Sequence, residues 1–180
     1  MKMTLPNKLT ILRMLLVPVF MALLLLGYRY WALAVFIIAS VTDFLDGRIA
    51  RKYNLVSTFG KFADPLADKL LVISAMVIFV EWGQMPSWVA MIVIARELAI
   101  TSLRIIAAAN GVIMAAEWSG KIKTACTMIG LCIMMTPLKD KVIGGVTLNT
   151  IIVVIILVTT VVSGIEYFVK NGNVLKKEIK

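Results

Sequence analysis

The strongest constraint on this 180-residue chain is a series of six apolar runs, each near the length that crosses a lipid bilayer. A helical span needs about 17–25 residues. The runs cover roughly 9–26, 30–41 with a polar continuation over 42–52, 60–80, 86–109, 120–135 and 148–169. The links between them (27–29, 53–59, 81–85, 110–119 and 136–147) are too short for a domain outside the membrane. Gly27, Gly83, Pro86, Asn110, Gly111, Pro137, Gly144 and Gly145 punctuate those links. Inside hydrocarbon every backbone polar group must be bonded within the protein, so only helices and closed barrels can span. Barrel strands alternate in polarity; these runs are continuous. The expectation is an all-α integral membrane bundle of six transmembrane helices, in one domain over 1–180, with antiparallel neighbours. Thr4 and Pro6 add the expectation of a short N-terminal surface helix. The composition agrees: 61% hydrophobic and 16% charged, against about 25% charged in an ordinary soluble domain.

The counts also exclude chemistry. There is no histidine, which removes Ser-His-Asp and Cys-His nucleophile systems and imidazole metal sites. Cys126 and Cys132 lie six apart on one apolar run, which disfavours a disulfide or a zinc site; both read as small buried hydrophobes. A net charge of +9 points, in a chain of this kind, to anionic lipid headgroups rather than nucleic acid. With the N-terminus inside, only Arg29, Lys139 and Lys141 of the 19 basic residues fall on the far side. The positive-inside rule then places both termini in the cytoplasm. No small-residue cleavage site follows 11–26, so that run reads as a mature helix and not a signal peptide. Tyr28, Tyr30 and Trp31, and separately Trp82 and Trp88, fit interfacial aromatic belts.

Four of the ten acidic residues stand where the second helix ends and the third begins. Asp43 and Asp46 are three apart, and Asp64 and Asp68 four apart, so each pair shares one helical face. An ionised Asp at the centre of a membrane helix costs about 2.5–3.5 kcal/mol. Near the boundary each costs less, but the four repel one another. Compensation can come from Arg48, Arg51, Lys52, Lys61 and Lys69, or from bound metal. Clustered carboxylates without His or Cys make a hard oxygen site suited to Mg²⁺, Mn²⁺ or Ca²⁺. Gly47 and Gly60 leave room for close approach of a ligand, or simply mark helix ends. Pro65 is expected to kink or loosen the start of the third helix. Metal, arginine and glycine together at a membrane edge suggest a phosphate substrate, one partner of which is a lipid.

Asp43-Phe44-Leu45-Asp46-Gly47-Arg48-Ile49-Ala50-Arg51, eight further residues, then Gly60-Lys61-Phe62-Ala63-Asp64-Pro65-Leu66-Ala67-Asp68 match the pattern D-x2-D-G-x2-A-R-x8-G-x3-D-x3-D at every defined position. The chain thereby resembles the CDP-alcohol phosphatidyltransferase family, and its six runs resemble that family's core. The segment 6–13, the extension through Lys69, the stretch from Ile94 through Arg96 and Glu97 to Arg104, and Gly120–Thr124 resemble the branch whose acceptor is sn-glycerol 3-phosphate. That resemblance implies transfer of a phosphatidyl group from CDP-diacylglycerol to sn-glycerol 3-phosphate, with release of CMP. It implies Asp43, Asp46, Asp64 and Asp68 as ligands of Mg²⁺ or Mn²⁺, two ions, with Asp68 as catalytic base. It also implies Asp43, Gly47, Ala50, Arg51 and Gly60 at the CDP site. Asn7, Thr10 and Arg13 either cap that cavity and touch the nucleotide, Thr10 being the candidate for the CDP site, or serve helix initiation and boundary anchoring.

For the acceptor phosphate the candidates are Arg104 and Lys121, then Lys123 and Arg96. Positive-inside anchoring or snorkelling is the plain reading of Lys121, Lys123 and Arg104. Pairing with Glu97 is the plain reading of Arg96. The resemblance further implies a homodimer among membrane lipids, and the lack of an extra domain favours a bacterial plasma membrane. Other acceptors (inositol phosphate, serine or phosphatidylglycerol) share the central motif. A divalent-cation transporter is the remaining alternative, but it predicts acids spread through the bilayer depth rather than gathered at one edge.

Overall fold

The computed structural model describes the backbone of residues 5–52, 58–109 and 117–178, and the side chains of these except 5–9, 43–65, 68, 109 and 172–178. Six helices carry the described chain: α1 (Leu5–Leu25), α2 (Arg29–Lys52), α3 (Thr58–Glu81), α4 (Ser87–Ala109), α5 (Trp118–Met134) and α6 (Leu148–Glu178). They form two compact units, residues 1–82 and 83–180.

In the first unit α1 packs along both α2 and α3, which also touch each other. The buried positions of α1 are Thr10, Arg13, Val17, Phe20 and Leu24, spaced three and four apart, so they form a single stripe. Ala32, Phe36 and Ala39 of α2 and Leu71, Ala75 and Ile78 of α3 form matching stripes. The Phe20 and Phe36 rings meet in a tilted pair, 5.6 Å between centroids. The small residues among them allow close helix contact. α1 ends in a glycine-based cap: Gly27, at φ 85°, donates to Leu24 O at 3.1 Å, and Tyr28 N donates to Leu23 O at 2.9 Å. Beyond it Tyr28, Tyr30 and Trp31 are exposed, as expected of a belt.

In the second unit α6 packs along both α5 and α4. At Gly130, α5 and α6 approach closely. A Cβ there would lie 2.8 Å from Ile152 Cγ2 and 3.1 Å from Ile156 Cδ1 of α6. Overpacking of this kind costs roughly 1–3 kcal/mol. Gly130→Ala is therefore expected to lower the midpoint of thermal unfolding in detergent, and an unchanged midpoint would show that the α5–α6 contact yields freely. Buried hydroxyls on these helices bond back to their own backbone: Thr127 Oγ1 to Lys123 O at 2.9 Å and Thr160 Oγ1 to Ile156 O at 2.6 Å. Such bonds satisfy polar groups where water is absent.

Several expectations change. Residues 5–8 form the first turn of α1 rather than a separate surface helix, because Pro6 suits a first turn and no breaker separates it from the apolar run; Thr4 lies outside the described residues. α3 continues as helix through Pro65. The 136–147 link is not plain coil. It holds a 3-10 turn (Pro137–Asp140) and a two-stranded antiparallel hairpin, β1 (Val142–Ile143) with β2 (Val146–Thr147). Gly144 and Gly145 turn the hairpin at φ 59° and 83°, a conformation that only glycine adopts freely. α6 runs past the apolar stretch into the basic tail, since Lys and Glu are good helix formers. Cys126 and Cys132 are free, as expected, but only partly buried.

The all-α expectation is met, with six helices among the described residues. Among the described residues one helical stretch, Leu148–Asn171 of α6, is long and apolar enough to cross a bilayer by length and composition. Thr10–Leu25 and Arg29–Thr42 are shorter apolar segments. α4 carries Arg96, Glu97 and Arg104, and α5 has only 17 residues.

Candidate functional site

Two groups of residues bear on function, one in each unit. In the first unit the aspartate motif spans the C-terminal half of α2 and the N-terminal half of α3. Asp43, Asp46, Gly47, Ala50 and Arg51 belong to α2, and Gly60, Asp64 and Asp68 to α3. Both segments are helical, so the three- and four-residue spacings do place each Asp pair on one helical face. The side chains of all eight lie outside the described residues, and among the described ones no group of three or more acidic or cysteine side chains gathers. Thr10 lies on the buried stripe of α1 with Arg13, at 1% and 2% exposure. A fully buried guanidinium on the face that packs against α2 and α3 marks that face as more than an apolar seam.

The second unit shows its site in atomic detail. Oε1 of Glu97 accepts two hydrogen bonds, from Arg96 Nη1 at 2.8 Å and from Lys123 Nζ at 2.7 Å. The first partner is its neighbour on α4 and the second comes from α5, 26 residues away. The Lys123 side chain is 3% exposed, that of Arg96 13% and that of Glu97 20%. Two glycines flank Arg96: a Cβ on Gly120 of α5 would lie 3.5 Å from Nη2, and one on Gly164 of α6 would lie 3.5 Å from Cγ. Side chains larger than alanine would meet the guanidinium at Gly120 and the aliphatic stem of Arg96 at Gly164. Three residues beyond Gly164, the buried ring of Tyr167 lies 5.6 Å from the Arg104 guanidinium carbon, a cation–π contact. Lys121 is exposed, with its ammonium 5.0 Å from the Trp118 ring centroid.

The four acceptor-phosphate candidates thus lie on two helices of the second unit, and the structure brings Arg96 and Lys123 together. α4 supplies Arg96 and Arg104, α5 supplies Lys121 and Lys123, and α6 supplies the surfaces at Gly164 and Tyr167. Arg96 does pair with Glu97, the plain reading of it, and so does Lys123. Two of the four cations, Arg96 and Lys123, meet at the Glu97 carboxylate, while Arg104 and Lys121 each lie against an aromatic ring.

A family model described as CDP-alcohol phosphatidyltransferase matches residues 3–177. The chain belongs to the CDP-alcohol phosphatidyltransferase family. Among curated relatives, the CDP-diacylglycerol–glycerol-3-phosphate 3-phosphatidyltransferase of Bacillus subtilis (strain 168) is 40% identical, over 96% of this chain and 97% of its own. The enzyme of the same name from Rickettsia typhi is 35% identical over 91% of this chain and 94% of its own. A probable phosphatidylglycerophosphate synthase of Mycobacterium tuberculosis (strain H37Rv) is 36% identical over 91% and 79%. The matched stretch includes both the aspartate motif and the basic residues of α4 and α5.

Glu97, Tyr167 and Gly164 were not singled out by their chemistry in the sequence. For Glu97 there was a signal: a carboxylate inside an apolar helix needs a partner. Tyr167 and Gly164 carried none, because an aromatic and a glycine are ordinary in a membrane-length run.

Proposed function

We propose that this chain transfers the phosphatidyl group from CDP-diacylglycerol to sn-glycerol 3-phosphate, giving phosphatidylglycerophosphate and CMP. The observation that carries this is near full-length identity of 35–40% to relatives bearing that enzyme name, joined to a motif of the right residues at the right spacing.

The acceptor's hydroxyl oxygen attacks the phosphorus that bears diacylglycerol. The bond from that phosphorus to the CMP oxygen breaks, and CMP leaves with the electron pair. Asp68 takes the hydroxyl proton; a carboxylate is a weak base, so its position must do much of the work. Asp43, Asp46, Asp64 and Asp68 form an all-oxygen donor set that fits Mg²⁺ or Mn²⁺, two ions. When bound, such ions neutralise charge on phosphate oxygens. Gly47, Ala50 and Gly60 are small enough to leave room for the nucleotide of CDP. Arg51 pairs bidentately with its phosphate, and Asp43 and Thr10 complete the CDP site. Arg104, Lys121, Lys123 and Arg96 take the acceptor's phosphate.

The membrane setting in this reading is six spans with both termini and the active site cytoplasmic, in one domain over 1–180, as a homodimer in a bacterial plasma membrane. The run lengths and the distribution of Lys and Arg support it. The exposed apolar side chains of α6, Val154, Val158, Val161, Ile165 and Val169, then face lipid.

The test is CMP release by purified protein in detergent with CDP-diacylglycerol and Mg²⁺ or Mn²⁺. Glycerol 3-phosphate, inositol phosphate, serine and phosphatidylglycerol are offered separately. Release with glycerol 3-phosphate alone is expected. Release with another acceptor keeps the chemistry and overturns the substrate.

A further inference from the structure

We infer that Glu97 is a positioning residue for the acceptor: it sets the places of the Lys123 ammonium and the Arg96 guanidinium that meet the acceptor's phosphate. The inference rests on the reading that the α4–α5 cations bind that phosphate.

Three features carry it. First, one carboxylate oxygen gathers two cations from different helices, at 2.8 and 2.7 Å. Adjacent residues on a helix do not face each other. The Arg96–Glu97 bond therefore draws the guanidinium sideways towards the α5 seam and is no ordinary helix-surface pair. Second, the lysine stem is long and flexible, yet the Lys123 side chain is 3% exposed and its ammonium is bonded to Glu97 at 2.7 Å. A buried ion pair is weak evidence for stability, because desolvation offsets much of the attraction. What such a contact does supply is a fixed location for a charge. Third, the Arg96 side chain runs past both glycines, its Cγ against Gly164 and its Nη2 beside Gly120. Its path is shaped at two points, and Glu97 fixes its tip. Two pre-placed cations bind a phosphate without first being ordered, which is where affinity is otherwise lost.

The experiment compares wild type with Glu97→Gln, Glu97→Asp, Lys123→Met and the Glu97→Gln/Lys123→Met double variant. The acceptor and CDP-diacylglycerol are varied separately, and each protein's thermal unfolding is recorded. Glu97→Gln is expected to raise KM for glycerol 3-phosphate by about tenfold or more, with KM for CDP-diacylglycerol within about twofold. Glu97→Asp, which keeps the charge, should recover part of the loss. The double variant should be no worse than the worse of its two parents, because both remove one shared contact. A lowered unfolding midpoint with both KM values unchanged would overturn the inference and leave Glu97 a structural residue. A fall in kcat with the acceptor KM unchanged would also overturn it. If Glu97→Gln does not fold, Glu97→Asp decides: a folded protein with a raised acceptor KM upholds positioning, and a normal KM refutes it. Wild-type turnover with serine and not with glycerol 3-phosphate would instead defeat the functional reading, and the inference with it.

Discussion

Asp68→Asn is expected to reduce CMP release by about 10²–10⁴-fold, the usual contribution of a positioned general base. The substitution preserves shape and hydrogen-bonding capacity but cannot accept the acceptor's proton. Because the lost function belongs to the chemical step, the fall should appear in kcat with both KM values little changed. Asp46→Asn should behave differently. Both variants remove a negative donor from the proposed metal set, but Asp46 is not the base, so higher Mg²⁺ or Mn²⁺ should recover part of the activity of Asp46→Asn, whereas no metal concentration should replace the lost base in Asp68→Asn. Chelation should abolish wild-type turnover, and adding either ion back should restore it. The decisive measurement is CMP release against metal concentration for the three proteins, each shown to be folded by gel filtration in detergent. Activity of Asp68→Asn within a few-fold of wild type would move the base elsewhere. Turnover that survives chelation would remove the metal.

The second large effect is expected at Arg104. Its guanidinium lies over the buried Tyr167 ring, a contact that orients the planar group as well as attracting it. Removing a charge-assisted hydrogen bond costs about 1.5–3 kcal/mol, so Arg104→Met should raise KM for glycerol 3-phosphate roughly 10–100-fold. Arg104→Lys should recover only part of this, since an ammonium neither stacks on Tyr167 nor bonds phosphate bidentately. Tyr167→Phe keeps the ring and should stay near wild type, while Tyr167→Leu should move in the direction of Arg104→Met. KM values measured separately for the two substrates check the idea. Equal weakening of both would mean that Arg104 supports the fold rather than the acceptor.

The two predictions draw on different kinds of information. The aspartates were legible because their placement is local: three- and four-residue intervals on a helix determine a shared face, and α2 and α3 are helical where the motif requires it. The apolar runs were legible for the same reason, since helix formation in a membrane-length run depends on nearest neighbours and composition. The helix ends were less so. Residues 5–8 joined α1, and α6 ran into the basic tail, because the boundary of an apolar run is not the boundary of a helix. The hairpin at 142–147 escaped because four residues in two strands carry too little pattern to detect, although Gly144 and Gly145 mark its turn.

Glu97 shows where sequence reading stops. That it needed a partner followed from its place in an apolar helix. The offered partner was Arg96, next to it. The second partner, Lys123, is 26 residues away, and only the packing of α4, α5 and α6 brings its ammonium to the same carboxylate oxygen. The same holds for Arg96 beside Gly120 and Gly164, and for Arg104 on Tyr167. By itself the sequence determined the helices, the family motif and which charges stand in apolar surroundings, all consequences of short-range periodicity and solvation. The tertiary structure alone decided which of those charges meet, because contacts across helices depend on rotation and register that no local spacing encodes.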